Sequence, residues 1–196
     1  MKKTLFASAI VTALILSACG NSKEATETPK TDSTANTAAQ DSTKAPEDKT
    51  KRESPPKEAA FDLNGVNVKV AWGSPKVKGR EVWGKLVPYG EVWRSGANEA
   101  TTIEFGSNAK VGGKDIPAGK YGFFSIPDKK EWTLIFNTRP DQWGAYEYEK
   151  EKDQLRISAK PEAGEMKEEL EFFAENGKLY LAWEKLKVGF SVEAGK

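Results

Sequence analysis

The sequence contains no histidine and a single cysteine, Cys19. Without histidine, the chain cannot build a Ser-His-Asp or Cys-His catalytic site, an imidazole metal site or a histidine pH switch. One cysteine excludes an intrachain disulfide and any site that needs several thiolates, such as a zinc finger or an iron–sulfur cluster. We therefore assign no catalytic residue, no cofactor and no metal ligand from the sequence.

An excess of one charge is also absent, because 30 Lys and Arg residues face 29 Asp and Glu residues, for a net charge of +1. Binding to nucleic acid depends on neutralising phosphates with a basic surplus. We therefore expect no nucleic-acid partner. The carboxylates would permit a glycosidase pair or a calcium site, but their spacing selects neither.

Residues 1–18 have the features of a bacterial signal peptide. Lys2 and Lys3 are followed by a mostly apolar stretch, Leu5 to Leu16, which is too short for a stable transmembrane helix. The next residues, Leu16-Ser17-Ala18-Cys19, match the lipobox of lipoprotein precursors. This resemblance implies cleavage before Cys19, acylation of its thiol and attachment of the mature protein to a membrane.

The residue after the lipobox cysteine indicates in which membrane a bacterial lipoprotein is retained. It is Gly20, whereas the common signal for retention in the inner membrane is Asp at this position. We therefore expect a protein of the bacterial cell envelope, with the outer membrane favoured where the cell has one.

Residues 19–58 are predicted to form a disordered tether. From Gly20 to Glu58 the chain has no aromatic residue and no Leu, Ile, Val or Met. Such a segment cannot bury enough apolar surface to offset the entropy cost of ordering. A flexible tether of this length would span roughly 35 Å and would hold a folded domain, residues 59–196, away from the lipid.

Alternating hydrophobicity predicts an all-β domain. Val66, Val68, Val70 and Trp72 alternate with less apolar residues, and the same period recurs in 103–105, 132–136, 155–159 and 186–192. This pattern is typical of antiparallel strands with one buried face. About nine or ten short strands favour a single antiparallel β-sandwich or jelly-roll-like domain. Only Gly144–Gln154 and Ala163–Glu169 are compatible with short helices.

Turn residues predict two hairpins. Asn176-Gly177 is typical of a two-residue type I′ turn, and Gly112-Gly113 indicates another hairpin. A two-residue turn at Asn176-Gly177 sets the register of the flanking strands. The predicted pairs are Glu175–Lys178, Ala174–Leu179, Phe173–Tyr180, Phe172–Leu181 and Leu170–Trp183.

Ser74–Ala100 is a long irregular segment with a distinctive sequence. Its stretches are SPKVKGR (74–80), WGKLVPYG (83–90) and VWRSGANEAT (92–101), with PAGKY (117–121) and WGAY (143–146) further along. With these motifs the chain resembles a bacterial family known as domain of unknown function 2911 (DUF2911), over nearly all of residues 60–192. The resemblance implies a β-rich, secreted or lipid-anchored protein with no established activity.

The candidate ligand site comes from this segment and from the WGAY motif. Compact domains seldom carry so long an irregular connection without a use for it. Aromatic faces next to polar groups suit a sugar, a peptide or a small amphipathic molecule. Alternatively, the aromatic residues plug one end of the sandwich and the polar residues satisfy loop carbonyls or each other. The candidate residues are Arg80, Trp83, Tyr89, Trp93, Arg94, Asn98, Glu99, Trp143 and Tyr146.

Three functional hypotheses remain open at this stage. The first is a non-enzymatic, lipid-anchored binding module for a small molecule, a glycan or a partner protein. The alternatives are a carboxylate-dependent envelope hydrolase that acts on glycans and a purely structural envelope component. Two carboxylates converging in an open pocket would favour the hydrolase, whereas an aromatic-lined groove without such a pair would favour binding.

Overall fold

The computed structural model describes residues 47–196 of the chain. Cys19, the signal peptide and the tether up to residue 46 lie outside the described residues. The described part has two short 3-10 turns, Lys49–Lys51 and Lys150–Lys152. Its ten strands are β1 (Pro56–Leu63), β2 (Val66–Gly73), β3 (Thr101–Phe105), β4 (Ala109–Val111), β5 (Lys114–Ile116), β6 (Gly119–Ile126), β7 (Trp132–Asn137), β8 (Asp153–Ala159), β9 (Glu162–Glu175) and β10 (Lys178–Ala194).

The strands form two antiparallel sheets. The larger sheet has the order β1-β2-β3-β6-β7-β8, and the smaller has the order β5-β4-β10-β9. All strand pairs within them run antiparallel. This arrangement confirms the predicted all-β class and the expected number of strands. Because each sheet ends in edge strands, the two sheets do not close into one barrel.

A single large hydrophobic core takes side chains from both sheets. In β2, Val66, Val68 and Val70 are buried, while the residues between them are exposed, as the period-two pattern predicts. Across the core, Phe136 of the larger sheet packs on Phe190 of the smaller one, with ring centroids 5.4 Å apart. Each such buried side chain stabilises the fold by about 1.5–3 kcal/mol, and this shared core makes the domain a sandwich.

The hairpin at Asn176-Gly177 has the predicted register near its turn. The pairs from Glu175–Lys178 to Phe172–Leu181 are present, but the register shifts between Ala182 and Glu184. Glu184 has a φ of 57°, a left-handed conformation that fits a β-bulge. The predicted pairing of Leu170 with Trp183 is therefore wrong, although both side chains are buried in the core.

Neither of the short helices that the sequence allowed is an α-helix. Ala163–Glu169 lies within β9, where pairing with the long strand β10 overrides local helix propensity. In Gly144–Gln154 only the 3-10 turn at Lys150–Lys152 is helical. Among residues 47–196, no helix has the length and apolar character needed to cross a membrane.

Residues 47–55, which we call the strap, precede β1 and contact the domain. The carbonyl of Pro55 accepts a hydrogen bond from the Ser74 amide at 3.0 Å, and Asn98 Nδ2 donates to the carbonyl of Ser54 at 2.9 Å. Strand β1 begins at Pro56, upstream of Ala59, where we predicted the domain to start. Backbone hydrogen bonds require no apolar side chains, so a segment of tether-like composition can still pair with the sheet.

Candidate functional site

The connection between β2 and β3, residues 74–100, makes hydrogen bonds to both sheets. The Val77 amide donates to the carbonyl of Glu168, and the Leu170 amide of β9 donates to the carbonyl of Pro75. Further along, Trp93 forms an isolated antiparallel bridge with Ser125 of β6. The long irregular segment is therefore anchored on the smaller sheet at its start and on the larger sheet near its end.

Four tryptophans from the connection and the two sheets form one group, which we call the tryptophan cluster. Trp132 of β7 and Trp183 of β10 are almost fully buried, whereas Trp83 and Trp93 are half-buried. Trp83 lies edge-on to Trp132, with centroids 5.0 Å apart, and Trp93 stacks on Trp183 at 6.1 Å. Aromatic pairs in these geometries contribute about 0.5–1.5 kcal/mol beyond their buried area. The packing of Trp83 and Trp93 is that of residues covering one side of the core.

A tight turn at residues 95–98 holds the polar part of the connection in place. Ser95 and Asn98 both have left-handed backbone conformations, with φ values of 53° and 64°. The turn approaches β2 closely, because a Cβ at Gly73 would come within 2.0 Å of the carbonyl oxygen of Ala97. Ser95 Oγ also bonds Ser125 Oγ at 2.9 Å. These contacts fix the backbone on either side of Arg94 and Asn98.

Beside this turn lies a cavity of about 290 Å³, which we call the basic cavity. Trp93 and Trp183 of the tryptophan cluster form part of its wall, and Glu53 and Ser54 of the strap line another part. The remaining polar lining comes from the connection: Lys76, Lys78, Arg80, Arg94 and Asn98. The cavity therefore combines an aromatic wall, four cationic side chains and one carboxylate.

Three of the four cations in the basic cavity already have partners. Lys78 forms an ion pair with Glu53, and Lys76 forms one with Glu169 at 3.1 Å. The guanidinium of Arg80 donates to the carbonyls of Val77 at 3.0 Å and of Lys76 at 2.5 Å. Lys76 and Lys78 are therefore paired with carboxylates of the protein, and Arg80 is bonded to backbone carbonyls.

Arg94 differs from the other cations of the basic cavity. Its Nε is buried, and its guanidinium forms no hydrogen bond or ion pair with the residues that the structure describes. Its Nη1 lies beside Gly144, where an added Cβ would come within 3.6 Å. Burial lowers the pKa of Arg94, with a smaller opposing effect from Tyr146. An arginine nevertheless stays protonated at neutral pH, so Arg94 is a half-buried cation without a counter-ion in this part of the chain.

Glu99 belongs to a different surface from Arg94 and Asn98. Its carboxylate pairs with Lys49 and Arg52 of the strap, both at 2.7 Å. Partial burial alone would raise the pKa of Glu99, but the hydrogen bonds from Lys49, the backbone and Arg52 outweigh it and lower the pKa to about 2. The guanidinium carbon of Arg52 also lies 5.5 Å from the ring centroid of Trp143. Glu99 and Trp143 thus line a neighbouring groove, outside the basic cavity.

The two candidate tyrosines lie outside the basic cavity as well. Tyr89 is half-buried against Gly84, and the Nζ of Lys129 lies 5.9 Å from its ring centroid. Tyr146 is 86% exposed at the turn beside Gly144. Neither side chain lines the cavity that contains Arg94.

Of the nine candidate residues, the structure brings four together in the basic cavity: Arg80, Trp93, Arg94 and Asn98. Trp83 lies behind the cavity wall in the tryptophan cluster. Lys76 and Lys78 also line the cavity but were not among the predicted site residues, although they stand in the same irregular segment. Trp183, Glu53 and Ser54 were not predicted either, because the sequence places them in a distant strand and in the tether. Within residues 47–196, no group of three or more His, Cys, Asp or Glu residues is arranged to hold a metal ion.

Comparison with known proteins identifies a family. The family model described as "Protein of unknown function (DUF2911)" matches residues 54–192, from the end of the strap into β10. No curated protein and no solved structure matches the chain. The family match confirms the resemblance that the sequence motifs indicated.

Proposed function

We propose that this chain, which belongs to the DUF2911 family of proteins of unknown function, is a non-enzymatic binding module whose basic cavity takes a small molecule. We further propose that it works in the bacterial cell envelope, anchored by a lipid on Cys19. The observation that carries the binding proposal is the basic cavity itself. Polar side chains from the connection and the strap converge there beside the wall of Trp93 and Trp183.

Small-molecule sites combine apolar or aromatic residues with a few placed polar groups that set orientation and specificity. The lining of the basic cavity is mostly polar, which suits a polar ligand. A volume of about 290 Å³ suits a small metabolite better than a chain of sugars. The turn at residues 95–98 holds the lining in one geometry, which limits the entropy lost when a ligand binds.

The hydrolase alternative receives less support from the geometry. Glycoside hydrolysis of the common type needs two carboxyl groups that flank the scissile bond. The described lining of the basic cavity contains one carboxylate, Glu53, and that group is paired with Lys78. The cavity therefore fits the binding hypothesis better than carboxylate-dependent hydrolysis.

The structural hypothesis accounts for part of the connection. Trp83 packs on three other tryptophans, as expected of a plug for the core. It does not account for Arg94, because a residue that serves only stability gains nothing from a half-buried charge without a partner. We therefore propose that the connection has both a structural side and a binding side.

The binding proposal is tested with the mature protein purified from its host. Native mass spectrometry should detect a small molecule that copurifies, and a thermal-shift screen of metabolites of either charge and of neutral ones should find stabilising compounds. Asn98→Ala should abolish the stabilisation, while Lys85→Ala, which changes an exposed lysine outside the cavity, should leave it intact. No copurified molecule and no stabilising compound would contradict the proposal.

The anchoring proposal has its own test. Cys19→Ala should prevent acylation and leave an uncleaved precursor, and globomycin, which inhibits the lipoprotein signal peptidase, should make the wild-type precursor accumulate. Mass spectrometry of the N-terminal peptide should show an acyl mass on Cys19. Normal maturation in globomycin without an acyl mass would overturn the lipoprotein assignment and leave the cavity proposal standing.

A further inference from the structure

We infer that the ligand of the basic cavity is a small phosphomonoester with a polar body, and that its phosphate binds to Lys78 and Arg80. The inference rests on the proposed binding function and adds the chemical class of the ligand. It starts from the lining of the cavity, whose positive charges exceed its negative ones.

A tight turn at residues 77–80 positions two cations of the cavity. The Arg80 amide donates to the Val77 carbonyl at 3.0 Å, and the two residues between them have φ values of 50° and 67°, as in a type I′ turn. The amides of Val77 and Lys78 donate to the carbonyl and the carboxylate of Glu168 in β9, at 2.8 and 2.9 Å. The turn is therefore fixed to the smaller sheet, and the side chains of Lys78 and Arg80 start from a defined backbone.

The guanidinium of Arg80 is held in place by neutral groups. Its Nε donates to the Val77 carbonyl at 3.0 Å, and its Nη2 donates to the Lys76 carbonyl at 2.5 Å. These bonds orient the guanidinium but do not balance its charge. A guanidinium has five N–H donors in a planar fork that matches the oxygens of a phosphate. Two of the five are used by the carbonyls, which leaves three for an anion.

Lys76 adds a second positive charge that is not fully balanced. It pairs with Glu169 at 3.1 Å, but the same carboxylate also pairs with a lysine of β1 at 2.5 Å. One negative charge therefore serves two ammonium groups. Together with Arg80, this gives the surroundings of the cavity a surplus of about two positive charges. Arg94 is left out of this count, because its Nη1 lies beside Gly144.

Glu53 of the strap shows where an anion fits. Its exposed carboxylate forms an ion pair with Lys78, and both residues line the cavity. Lys78, and to a smaller extent Arg80, lower the pKa of Glu53, so both cations act on one anionic position. A ligand with a larger negative charge would compete with Glu53 for this position and release it to solvent.

A phosphomonoester matches this charge and this lining. It carries about 1.5 to 2 negative charges near neutral pH and has three strong acceptor oxygens, whereas a carboxylate would balance only one of the two surplus charges. The rest of the lining is mostly polar and includes Ser54 and Asn98, which suits a body with hydroxyl groups. A volume of about 290 Å³ limits that body to a small one.

Glycerol 3-phosphate is a suitable probe, since it joins a phosphomonoester to a small body with two hydroxyl groups. In the mature protein labelled with ¹⁵N, its titration should produce saturable shifts of the Arg80 Nε–H and Asn98 Nδ2–H resonances. Glycerate has a similar body and one negative charge, and should bind at least about fivefold more weakly. Dibutyryl phosphatidic acid carries the same phosphate on a lipid body and should also bind more weakly, because acyl chains replace the hydroxyl groups.

The pH dependence of binding gives a second test. The chain has no histidine, the side chain that ordinarily titrates between pH 5 and 8. Lys78 keeps the pKa of Glu53 below its ordinary value of 4.5, and lysine partners do the same for Glu169, so both stay ionised in this range. A phosphomonoester takes up its second proton near pH 6. Lowering the pH from 7.5 to 5.5 should therefore weaken binding of glycerol 3-phosphate at least about threefold and leave that of glycerate unchanged.

Two variants with matched controls locate the site. Arg80→Gln should weaken binding of glycerol 3-phosphate at least about fivefold, while Lys85→Gln, at an exposed lysine of the same connection, should not change it. Glu53→Gln should tighten binding, because it removes the competing carboxylate and releases Lys78. Glu91→Gln, at an exposed glutamate outside the cavity, should have no effect.

The outcomes separate this inference from the proposed function. Glycerate binding as tightly as glycerol 3-phosphate, binding that does not change with pH, or wild-type affinity in Arg80→Gln would overturn the phosphomonoester inference. Tighter binding of dibutyryl phosphatidic acid would assign a lipid headgroup in place of a small polar ligand, and absence of any saturable shift would also overturn the inference. The broader binding proposal would then be decided by the copurification and thermal-shift experiments.

Discussion

Two regions of the domain contain a partly buried arginine, and they surround it in different ways. Arg156 of β8 donates from Nε to Asp153 Oδ2 and from Nη2 to the Tyr148 hydroxyl, both at 2.6 Å. Asp153 in turn accepts from Asn137 Nδ2 at 2.8 Å. Arg94, in the basic cavity, has no partner of this kind within residues 47–196.

The contrast shows what the fold does when an arginine serves only the structure. The Asp153 side chain is 7% exposed, and its two oxygens are used by three donors. Burial, assisted by the hydrogen bond to Asp153, raises the pKa of Tyr148 to about 12, so its hydroxyl stays protonated and available as a donor. A complete network of this type is rigid and needs no outside group. The surroundings of Arg94 are incomplete by comparison, and a purely structural role does not explain them.

The largest effect should come from removing the tryptophan support of the basic cavity. Trp83→Ala should destabilise the domain by about 3 kcal/mol, because it opens a void against three aromatic neighbours. Thermal unfolding of the purified protein should show a midpoint several degrees lower. The control is Tyr146→Ala, at an exposed ring, which should change stability by less than about 0.5 kcal/mol. Equal effects of the two variants would show that the cluster does not support the cavity.

The next effect concerns the Arg156 network. Asp153→Ala should cost roughly 1–3 kcal/mol, since it leaves Asn137, Tyr148 and Arg156 without their shared acceptor. Urea unfolding measures the loss. Asp141→Ala, at an aspartate whose side chain is 90% exposed, is the matched control and should be nearly neutral. If Asp153→Ala were equally neutral, the hydrogen bonds around Arg156 would not stabilise the fold, and the comparison with Arg94 would lose its basis.

A smaller effect should arise where the strap meets the domain. Glu99→Gln removes two partly exposed ion pairs, with Lys49 and Arg52, worth about 0.2–1 kcal/mol each. The folded-state pKa of Glu99, about 2, lies below its ordinary value of 4.5. The stabilisation is therefore present above pH 4.5 and is lost as the pH falls towards 2.

Urea unfolding at neutral and at acid pH tests this expectation. The stability difference between the wild type and Glu99→Gln should shrink as the pH falls through this range. Glu91→Gln, at an exposed glutamate of the same connection, serves as the control and should show no comparable change. A difference that stays constant with pH would argue against the ionised pairs as its cause.

The smallest effect on stability should come from Arg94 itself. Arg94→Met keeps most of the side-chain volume and removes a half-buried charge without a partner, so it should be within about 0.5 kcal/mol of the wild type or more stable. Arg156→Met, the same substitution in the other region, should cost roughly 1–3 kcal/mol. Paired thermal melts give the comparison directly. A large loss at Arg94 would mean that this residue is structural too.

Much of the fold was predictable from local sequence signals. Period-two hydrophobicity located β2, β7 and β8, and Asn176-Gly177 set the register of the last hairpin near its turn. The shift at Glu184 was not predictable, because a β-bulge depends on how the far end of β10 fits the rest of the sheet. Local signals therefore determined the turns, and tertiary packing determined where the pairing changes.

The candidate site was predictable only in part. The motif around Arg94 and Asn98 pointed to the correct segment, but neighbouring residues of that motif face different surfaces. Both residues contact the strap, Asn98 through the carbonyl of Ser54 and Glu99 through Lys49 and Arg52, but Asn98 lines the basic cavity and Glu99 lines the neighbouring groove. The contributions of Glu53 and Trp183 come from distant parts of the sequence. The spacing of residues along the chain does not show which distant residues line the same cavity.

The tryptophan cluster also gives the protein an internal optical reporter. Four of its six tryptophans lie in the cluster, and the stacked pair Trp93 and Trp183 lines the basic cavity. Indole rings this close couple electronically, which produces near-ultraviolet circular dichroism, and their emission depends on neighbouring charges and water. Molecules that enter or leave the cavity would alter both signals. Tryptophan fluorescence and near-ultraviolet circular dichroism therefore offer a direct test of the proposed binding, in the unlabelled protein and without knowing the ligand beforehand.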